Sequence, residues 1–508
     1  RGLGDVYKRQ VINYGRLDDY LGPYLVADLK SGRLTDEEAY RYIHSLWTMI
    51  ENRRTTVNGR IIVGGKGRKH PKEADVFLHI AMKVAKNCRY VEPQFTLRFD
   101  KETSEEIWDE ALDALGAGAT YPTLYNDDVN VPAVMYGMRV DEKTAEQYVP
   151  FGCTEFVIQG QSTGTPNICI NLLKLLTIYM NDGIDPIDGK RKSGPVSLKK
   201  LEEYQTFEEF YDGYKALLDY YLDLSVKAQY HSYEVMNQHV SFLFTSLLTD
   251  DCIARGKALL DGGVRYLGGT NETYGNINTS DSLWVIRDLV FNQKKYTLRQ
   301  LNDAMLANFN GYEALRKDCL NCDKYGNDLE TADTMANDLY EFVAKGVRDR
   351  GIAIGMQYFL IVISNNQLNT EWGNRTAASP DGRLSCMYMN PANNPQGGAN
   401  KSGPTAMLNS LAKFDAKYHG GSVQNIKFSP SMFNENRAVI KSLFKTYFAK
   451  GGCHLMVTVV DKGVLEDAVE HPENYPDLIV RVSGFSAVFV DLSPNIQQEL
   501  LSRVLYDE

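Results

Sequence analysis

Apolar residues at helical spacing alternate along this chain with short apolar runs bounded by Gly, Pro, Asn and Asp, the rhythm of helices and strands in succession. Residues 34–51 open with Thr35-Asp36-Glu37-Glu38, a helix-start pattern, and predict an amphipathic helix. Gly64-Gly65-Lys66-Gly67 reads as a turn before a second helix over 74–85. Phe95-Thr96-Leu97-Arg98-Phe99 alternates as a strand and an amphipathic stretch over 104–115 follows it, so the class predicted is α/β. The chain then turns helical and polar over 198–229. Residues 376–404 are rich in Asn, Gly and Pro and suggest a domain boundary. Beyond it, in 478–492, two strand-like runs flank Gly484. No internal repeat or low-complexity segment interrupts this order.

At 508 residues and 43% hydrophobic content, the chain can bury a large core or more than one domain. A formal charge of -10 argues against a nucleic-acid partner, which needs a basic face. The longest apolar run, 358–363, is too short to cross a bilayer, and no secretory leader is visible, so the expectation is a cytoplasmic protein with no membrane partner. The 8 cysteines form no short framework and are expected as reduced thiols. Cys319 and Cys322 make a lone CxxC, read as two ordinary thiols rather than a zinc site or disulfide.

Four stretches bear on possible chemistry. Gly64-Gly65-Lys66-Gly67 is no phosphate cradle, since no GK[ST] follows. Asp127 and Asp128 could be acids, bases or metal ligands, but neighbours on a strand face opposite ways, and the ordinary reading is a solvated loop. Phe151-Gly152-Cys153-Thr154-Glu155-Phe156 holds a cysteine, ordinarily a small hydrophobe, with a carboxylate two residues on. In an extended segment those two side chains share a face. An acid–base hydrolase using Asp127 or Asp128 with Glu155 is one reading of these residues. Gly484 is ordinarily the hairpin or bulge residue that supplies a backbone angle others avoid. Its chemical reading is different: a glycine that loses a Cα hydrogen leaves a radical stabilised by the amide nitrogen on one side and the carbonyl on the other. No side chain blocks planarity.

Residues 481–489, Arg-Val-Ser-Gly-Phe-Ser-Ala-Val-Phe, closely resemble the signature around the radical glycine of the glycyl radical enzymes, the pyruvate formate-lyase superfamily. Further family-like landmarks follow in order: Asn126-Asp127, the Cys153 loop, Asp281-Ser282-Leu283, Lys324-Tyr325-Gly326-Asn327-Asp328, Pro380-Asp381-Gly382-Arg383, Gly403-Pro404-Thr405-Ala406 and Gly452-Cys453-His454. The resemblance implies an α/β barrel of ten strands in two half-barrels wrapped by helices, incomplete at the N-terminus, with the cysteine and glycine loops meeting inside. Residues 1–10 match nothing in the family and read as a non-native extension. Residues 11–380 are then the truncated barrel domain and 381–508 a C-terminal glycine-radical domain.

By resemblance, Gly484 stores the radical, Cys153 relays it as a thiyl, and Glu155 is the general base, its pKa raised by a pocket sealed from water. Asn126, Asp127 and Asn167 are implied at the substrate. Asn167 stands where glycerol-dehydratase-like members have an aspartate and Phe156 where they have proline, so simple diol dehydration is put in doubt. Formate acetyltransferases carry two adjacent cysteines where this chain has Gly152-Cys153, which disfavours acetyl transfer. Formate C-acetyltransferase activity and a non-catalytic radical-carrying role remain the alternatives to cleavage of a C–O, C–N, C–S or C–C bond in a small polar substrate. The resemblance also implies no bound metal or cofactor, a separate activating enzyme with an iron–sulfur cluster and S-adenosylmethionine, a homodimer, and sensitivity to oxygen.

Overall fold

The computed structural model describes residues 10–53, 56–163, 166–364 and 367–507, and residues 1–9 of the supposed extension fall outside it. Contacts divide the chain into two units, one running to Gln159 and resuming at Gly421, the other spanning Gly160–Gly420.

The first unit is built on strands β1 (Gln10–Arg16), β2 (Thr56–Gly64), β3 (Gln94–Phe99) and β4 (Thr123–Asn126), with a small hairpin of β5 (Tyr148–Phe151) and β6 (Glu155–Ile158). Strands β1 to β4 pair in parallel, each to the next. Parallel neighbours need crossovers, and helices Asp36–Arg53, Pro71–Asn87 and Glu105–Gly116 supply them. The second begins at Pro71, one turn before the expected residue 74, and the other two start where the sequence says they should. Thr35 and Glu38 exchange hydrogen bonds, Glu38 N–H to Thr35 Oγ1 at 3.2 Å and Thr35 N–H to Glu38 Oε2 at 2.9 Å, and Ser104 Oγ accepts from Ile107 N–H at 3.3 Å.

Alternation then sorts the sheet's two faces. In register, Arg60, Gln94, Thr96, Arg98, Thr123 and Tyr125 fall on one side with Ile62 among them, and Ile61, Val63, Phe95, Leu97, Phe99 and Leu124 on the other with Asn126 at its end. The apolar side meets the helices: Phe95 packs on Trp47 with ring centroids 5.8 Å apart and Phe99 on Trp108 at 4.7 Å. The polar side is buried as well. A parallel sheet is normally covered on both faces by apolar groups, so a polar buried face marks this sheet as holding something other than core.

The second unit carries β7 (Pro166–Asn171), β8 (Gly268–Tyr274), β9 (Tyr358–Ile363) and the first half of β10 (His419–Ser422), in the order β10-β9-β8-β7. The apolar run noted above is β9, buried throughout, with helix Glu330–Ala353 packed on it. The polar helical stretch becomes helix Phe207–His239. The chain returns to the first unit with β11 (Asn425–Phe428) and β12 (His454–Val459), where β12 pairs antiparallel to β4 and parallel to β11. A last hairpin, β13 (Ile479–Arg481) and β14 (Ser486–Val488), follows. Six strands in one sheet and four in the other thus give the α/β class expected. No helix among the described residues is long and apolar enough to cross a membrane, and the cysteines are free thiols.

The boundary expected near residue 380 is not where contacts divide. The Asn-, Gly- and Pro-rich stretch is largely buried inside the second unit. Its backbone is satisfied by side chains instead of by ladders. Arg383, 5% exposed, donates to the carbonyls of Ala377 at 2.8 Å, Gly373 at 2.9 Å, Tyr388 at 3.2 Å and, closer still, Met387. Asn278 and Asn390 exchange backbone-to-side-chain bonds of 3.2 and 2.6 Å. Residues rich in turn-forming types therefore make irregular interior here. Replacing Arg383 by Met unpairs these carbonyls and is expected to cost about 2–4 kcal/mol in urea unfolding, with new protease cuts inside 376–404. Unchanged unfolding and unchanged cleavage would show that the segment does not depend on the guanidinium.

Candidate functional site

The cysteine loop is a tight hairpin. Phe151 pairs with Glu155 across β5 and β6, so Gly152, Cys153 and Thr154 form the turn. The extended segment expected from sequence is absent, and Glu155 reaches the loop by a different route. Its Oε2 turns back to accept Thr154 N–H at 2.9 Å, over Gly152, where an added Cβ would stand 2.7 Å from that oxygen. Gly152 also has φ +53°, in the left-handed region. Cys153 is 2% and Glu155 3% exposed.

The glycine loop is the tip of the β13–β14 hairpin, closed by bonds from Val482 N–H at 3.0 Å and Ser483 N–H at 3.3 Å to Phe485 O. Gly484 is not in the left-handed region, so the ordinary reading of it as an angle-supplying residue does not hold. Space demands the glycine. A Cβ on Gly484 would lie 2.4 Å from Cys153 Cβ and 2.5 Å from Cys153 Cα. Since a carbon–carbon bond is about 1.5 Å, Gly484 Cα lies within about 4 Å of Cys153 Cβ. Residues more than 300 positions apart in sequence are in van der Waals contact. The hairpin is seated on Val480, Val482, Phe489, Ile496 and Leu500. Arg503 holds its base, donating to Val482 O at 2.6 Å while paired with Glu499 at 2.8 Å.

Two buried arginines grip the two loops, and sequence reasoning gave neither a role. Arg60 of β2 donates from Nη2 to Cys153 O at 3.0 Å and to Gly152 O at 3.1 Å, and from Nη1 to Thr96 Oγ1 at 2.9 Å. Arg481 of β13 donates from Nη2 to Gly484 O and from Nε to Ser483 O, both at 3.1 Å, and from Nη1 to Ser486 Oγ at 3.1 Å. Burial lowers the pKa of Arg481, and the charge of Arg60 lowers it further. A cation heading the apolar run Ile61-Ile62-Val63 was the available signal for Arg60.

Asn126 and Asp127 are engaged elsewhere. Asn126 Oδ1 accepts Asp128 N–H at 3.2 Å at the start of helix Asp127–Met138, and its Nδ2 donates to Phe448 O at 3.1 Å and Gly452 O at 3.0 Å. Asp127 is fully buried, not solvated. It takes Arg98 Nε at 2.9 Å and Nη2 at 2.7 Å, the Tyr148 hydroxyl at 2.8 Å and Lys66 N–H at 2.7 Å. Asp128 is the partly exposed member, paired with Lys66 at 2.7 Å. The side chain of Asn167 lies outside the described residues.

Near the two loops, three of the buried hydroxyls that have no hydrogen-bond partner among the described residues are Tyr125 Oη on the polar face, Thr154 Oγ1 beside Cys153, and Ser483 Oγ beside Gly484. Burial pushes the Tyr125 hydroxyl up to about 12, against the pull of Arg60 and Arg481 and with the push of Glu155. Buried polar atoms are rarely left unpaired, so these offer hydrogen bonds to a small polar guest. A group of side chains close enough to share an ion, His79, Glu106 and Glu110, lies on helices Pro71–Asn87 and Glu105–Gly116 and includes none of the loop residues.

The pyruvate formate lyase-like family matches residues 6–368, a match that begins inside the segment set aside as an extension, and the glycine radical family matches residues 389–490. Trans-4-hydroxy-L-proline dehydratase of Clostridioides difficile is 29% identical over 506 residues, covering 96% of this chain and 64% of the relative. (2S)-3-sulfopropanediol dehydratase of Klebsiella oxytoca is 28% identical, covering 97% and 62%. Among solved structures, the glycerol-bound B12-independent glycerol dehydratase from Clostridium butyricum superposes with a TM-score of 0.89 at 28% identity, covering 98% of this chain and 64% of that one. Hydroxyproline dehydratase from Clostridioides difficile with trans-4-hydroxy-L-proline bound gives 0.90 at 27% identity, covering 97% and 64%. The chain thus spans a little under two thirds of the length of these relatives, 62% to 64%.

Substitutions separate the anchors from the contact. Asp127→Ala leaves Arg98 buried and unpaired and is expected to lower unfolding stability by about 3–5 kcal/mol. Gly484→Ala forces a methyl into Cys153 and is expected to cost about 1–3 kcal/mol. Denaturant titration of each variant checks both, and a wild-type midpoint for either would contradict the contacts described.

Proposed function

The chain belongs to the pyruvate formate lyase-like family of glycyl radical enzymes, and from that premise we propose that it carries the radical relay of an eliminating lyase or dehydratase acting on a small polar molecule. Gly484 stores the unpaired electron. Its Cα takes the hydrogen atom of the Cys153 thiol, restoring the glycine and leaving a thiyl, and the thiyl takes a hydrogen atom from substrate carbon. Glu155 accepts a proton from the neighbouring hydroxyl or similar group as the leaving group departs, and that proton goes out with the leaving group. The product radical recovers the hydrogen atom from Cys153, and Gly484 returns its own. No thiolate is needed, so no positive partner has to lower the Cys153 pKa.

The observation that carries this reading is the close approach of Gly484 to Cys153, with Glu155 folded over the same turn. Burial of both loops supports it, because a stored radical must be kept from solvent and side reactions. Three of the relatives are named for small hydroxylated compounds, hydroxyproline, sulfopropanediol and glycerol. The bond cleaved is C–O, C–N, C–S or C–C. Acetyl transfer is disfavoured by Gly152 standing where a second cysteine would be. Hydrolysis through Asp127 is disfavoured because Arg98, Tyr148 and Lys66 occupy both its oxygens. A purely radical-carrying role leaves Cys153 and Glu155 unexplained.

The proposal extends to partners. A separate activating enzyme using an iron–sulfur cluster and S-adenosylmethionine installs the radical, the working form is a cytoplasmic homodimer, and oxygen destroys it. These follow from family membership, and the net charge of -10 fits a protein that works apart from nucleic acid.

Anaerobic activation of the full-length protein, followed by electron paramagnetic resonance, tests the assignment. Wild type is expected to give a carbon-centred doublet, Gly484→Ala none, and Cys153→Ser the doublet without turnover. Brief exposure to air is expected to cut the chain at Gly484, read by mass spectrometry. A doublet that persists in Gly484→Ala would remove that residue from its role.

A further inference from the structure

The guanidinium of Arg481 sits on the carbonyl oxygen of Gly484 itself, Nη2 to O at 3.1 Å, in a fully buried setting. Its other hydrogen bonds go to Ser483 O, Ser486 Oγ, Gln94 Oε1 at 3.4 Å and Met456 Sδ at 3.0 Å, and it lies over the Tyr121 ring at 5.2 Å. None of these partners is a carboxylate. A buried cation so placed is costly, and Arg60 nearby raises the cost. Closing a hairpin tip does not require it, since neutral donors can satisfy two carbonyls.

We propose that Arg481 is an electronic positioning residue for the stored radical, lowering the energy of the Gly484 radical through its carbonyl. The inference rests on the reading of Gly484 as the radical site. A radical on glycine Cα is stabilised by drawing nitrogen lone-pair density through Cα onto the carbonyl oxygen, which gains negative charge as the radical forms. A fixed cation on that oxygen therefore favours the radical over the closed-shell amide, and in a low-dielectric interior the preference is large. The geometry is prepared in advance. Ser486 Oγ is itself bonded to Thr120 Oγ1 at 3.1 Å, and Gln94 projects from the polar face of β3, so the guanidinium is held in place before any radical exists. Arg60 makes the same kind of contact to Cys153 O, which is not conjugated with sulfur, so its role is to hold the loop. The difference between the two loops biases the hydrogen atom toward Cys153 at rest, with the spin parked on Gly484.

Wild-type protein carrying arginine labelled with 15N in the guanidinium, activated anaerobically, gives the test by electron–nuclear double resonance. The expected result is a weak 15N coupling to the glycyl spin, because part of that spin resides on the oxygen the guanidinium touches. In Arg481→Gln, which keeps a donor and removes the charge, spin returns to Cα, so the α-proton doublet widens and the radical decays faster, and Arg481→Lys restores part of both. A full glycyl signal without 15N coupling overturns the proposal, and the wild-type measurement decides this even if the variants fail to activate. Coupling in wild type with an unchanged doublet in Arg481→Gln overturns it too, leaving contact without tuning. No glycyl signal in wild type removes the radical-site reading, and this inference with it.

Discussion

A hydrogen atom passes between two heavy atoms only when they are nearly in contact, and the first unit brings Gly484 and Cys153 into such contact. Gly484 Cα lies against Cys153 with no room for a methyl group between them. Two hairpin tips have to meet for this, and hairpin tips expose carbonyls that a dry interior leaves without water. Arg60 and Arg481 answer that demand, each taking two consecutive carbonyls of one tip. Removing either would leave buried acceptors unpaired, at about 1–3 kcal/mol apiece. The approach and the clamps are one arrangement.

The same demand explains the sheet. Parallel strands covered on both sides usually carry apolar residues on both faces, yet β3 alternates polar and apolar as though one face met solvent, and Arg60, Thr123 and Tyr125 of its neighbours join the polar side. The polar face is buried, and it consists of the groups the loops need: Arg60 to hold the cysteine turn, Gln94 to orient Arg481, Thr96 bridging Arg60 and Thr123, and Tyr125 with its hydroxyl free. Arg98 on the same face is neutralised by Asp127, which ties β3 to the start of helix Asp127–Met138 and to Tyr148 of the cysteine hairpin. Burying ions in this way contributes little net stability, and its return lies in fixing one arrangement of loops.

Much of this was legible in the sequence where local rules decide structure. Helix starts at Thr35 and Ser104, the alternation of β3, and the two runs around Gly484 follow from spacing and capping alone. The pairing of Gly484 with Cys153 was legible only through resemblance, because no periodicity links residues so far apart. Three features went unread. The turn at Gly152-Cys153-Thr154 looked extended, since a glycine before a cysteine does not announce a left-handed angle. Residues 376–404 were read as a domain boundary, and their burial was not, because side-chain amides and one arginine can satisfy buried backbone as ladders do, and composition does not show it. The partners that Asn126 and Asp127 hold, the Gly452 carbonyl and the Arg98 guanidinium, were not visible in the sequence. Arg60 and Arg481 were on the page as charges in apolar strands, a signal whose meaning depends on what the opposite loop brings.

The claim that hydrogen moves between Gly484 and Cys153 is tested most directly by isotope exchange. Thiol hydrogens exchange with solvent, whereas a glycine Cα hydrogen by itself does not on the same timescale. In activated protein transferred anaerobically to heavy water, the α-proton splitting of the radical should collapse as deuterium enters through the Cys153 thiol, and it should persist in Cys153→Ala. A wild-type splitting that survives in heavy water, or one that collapses equally without the cysteine, would contradict the account.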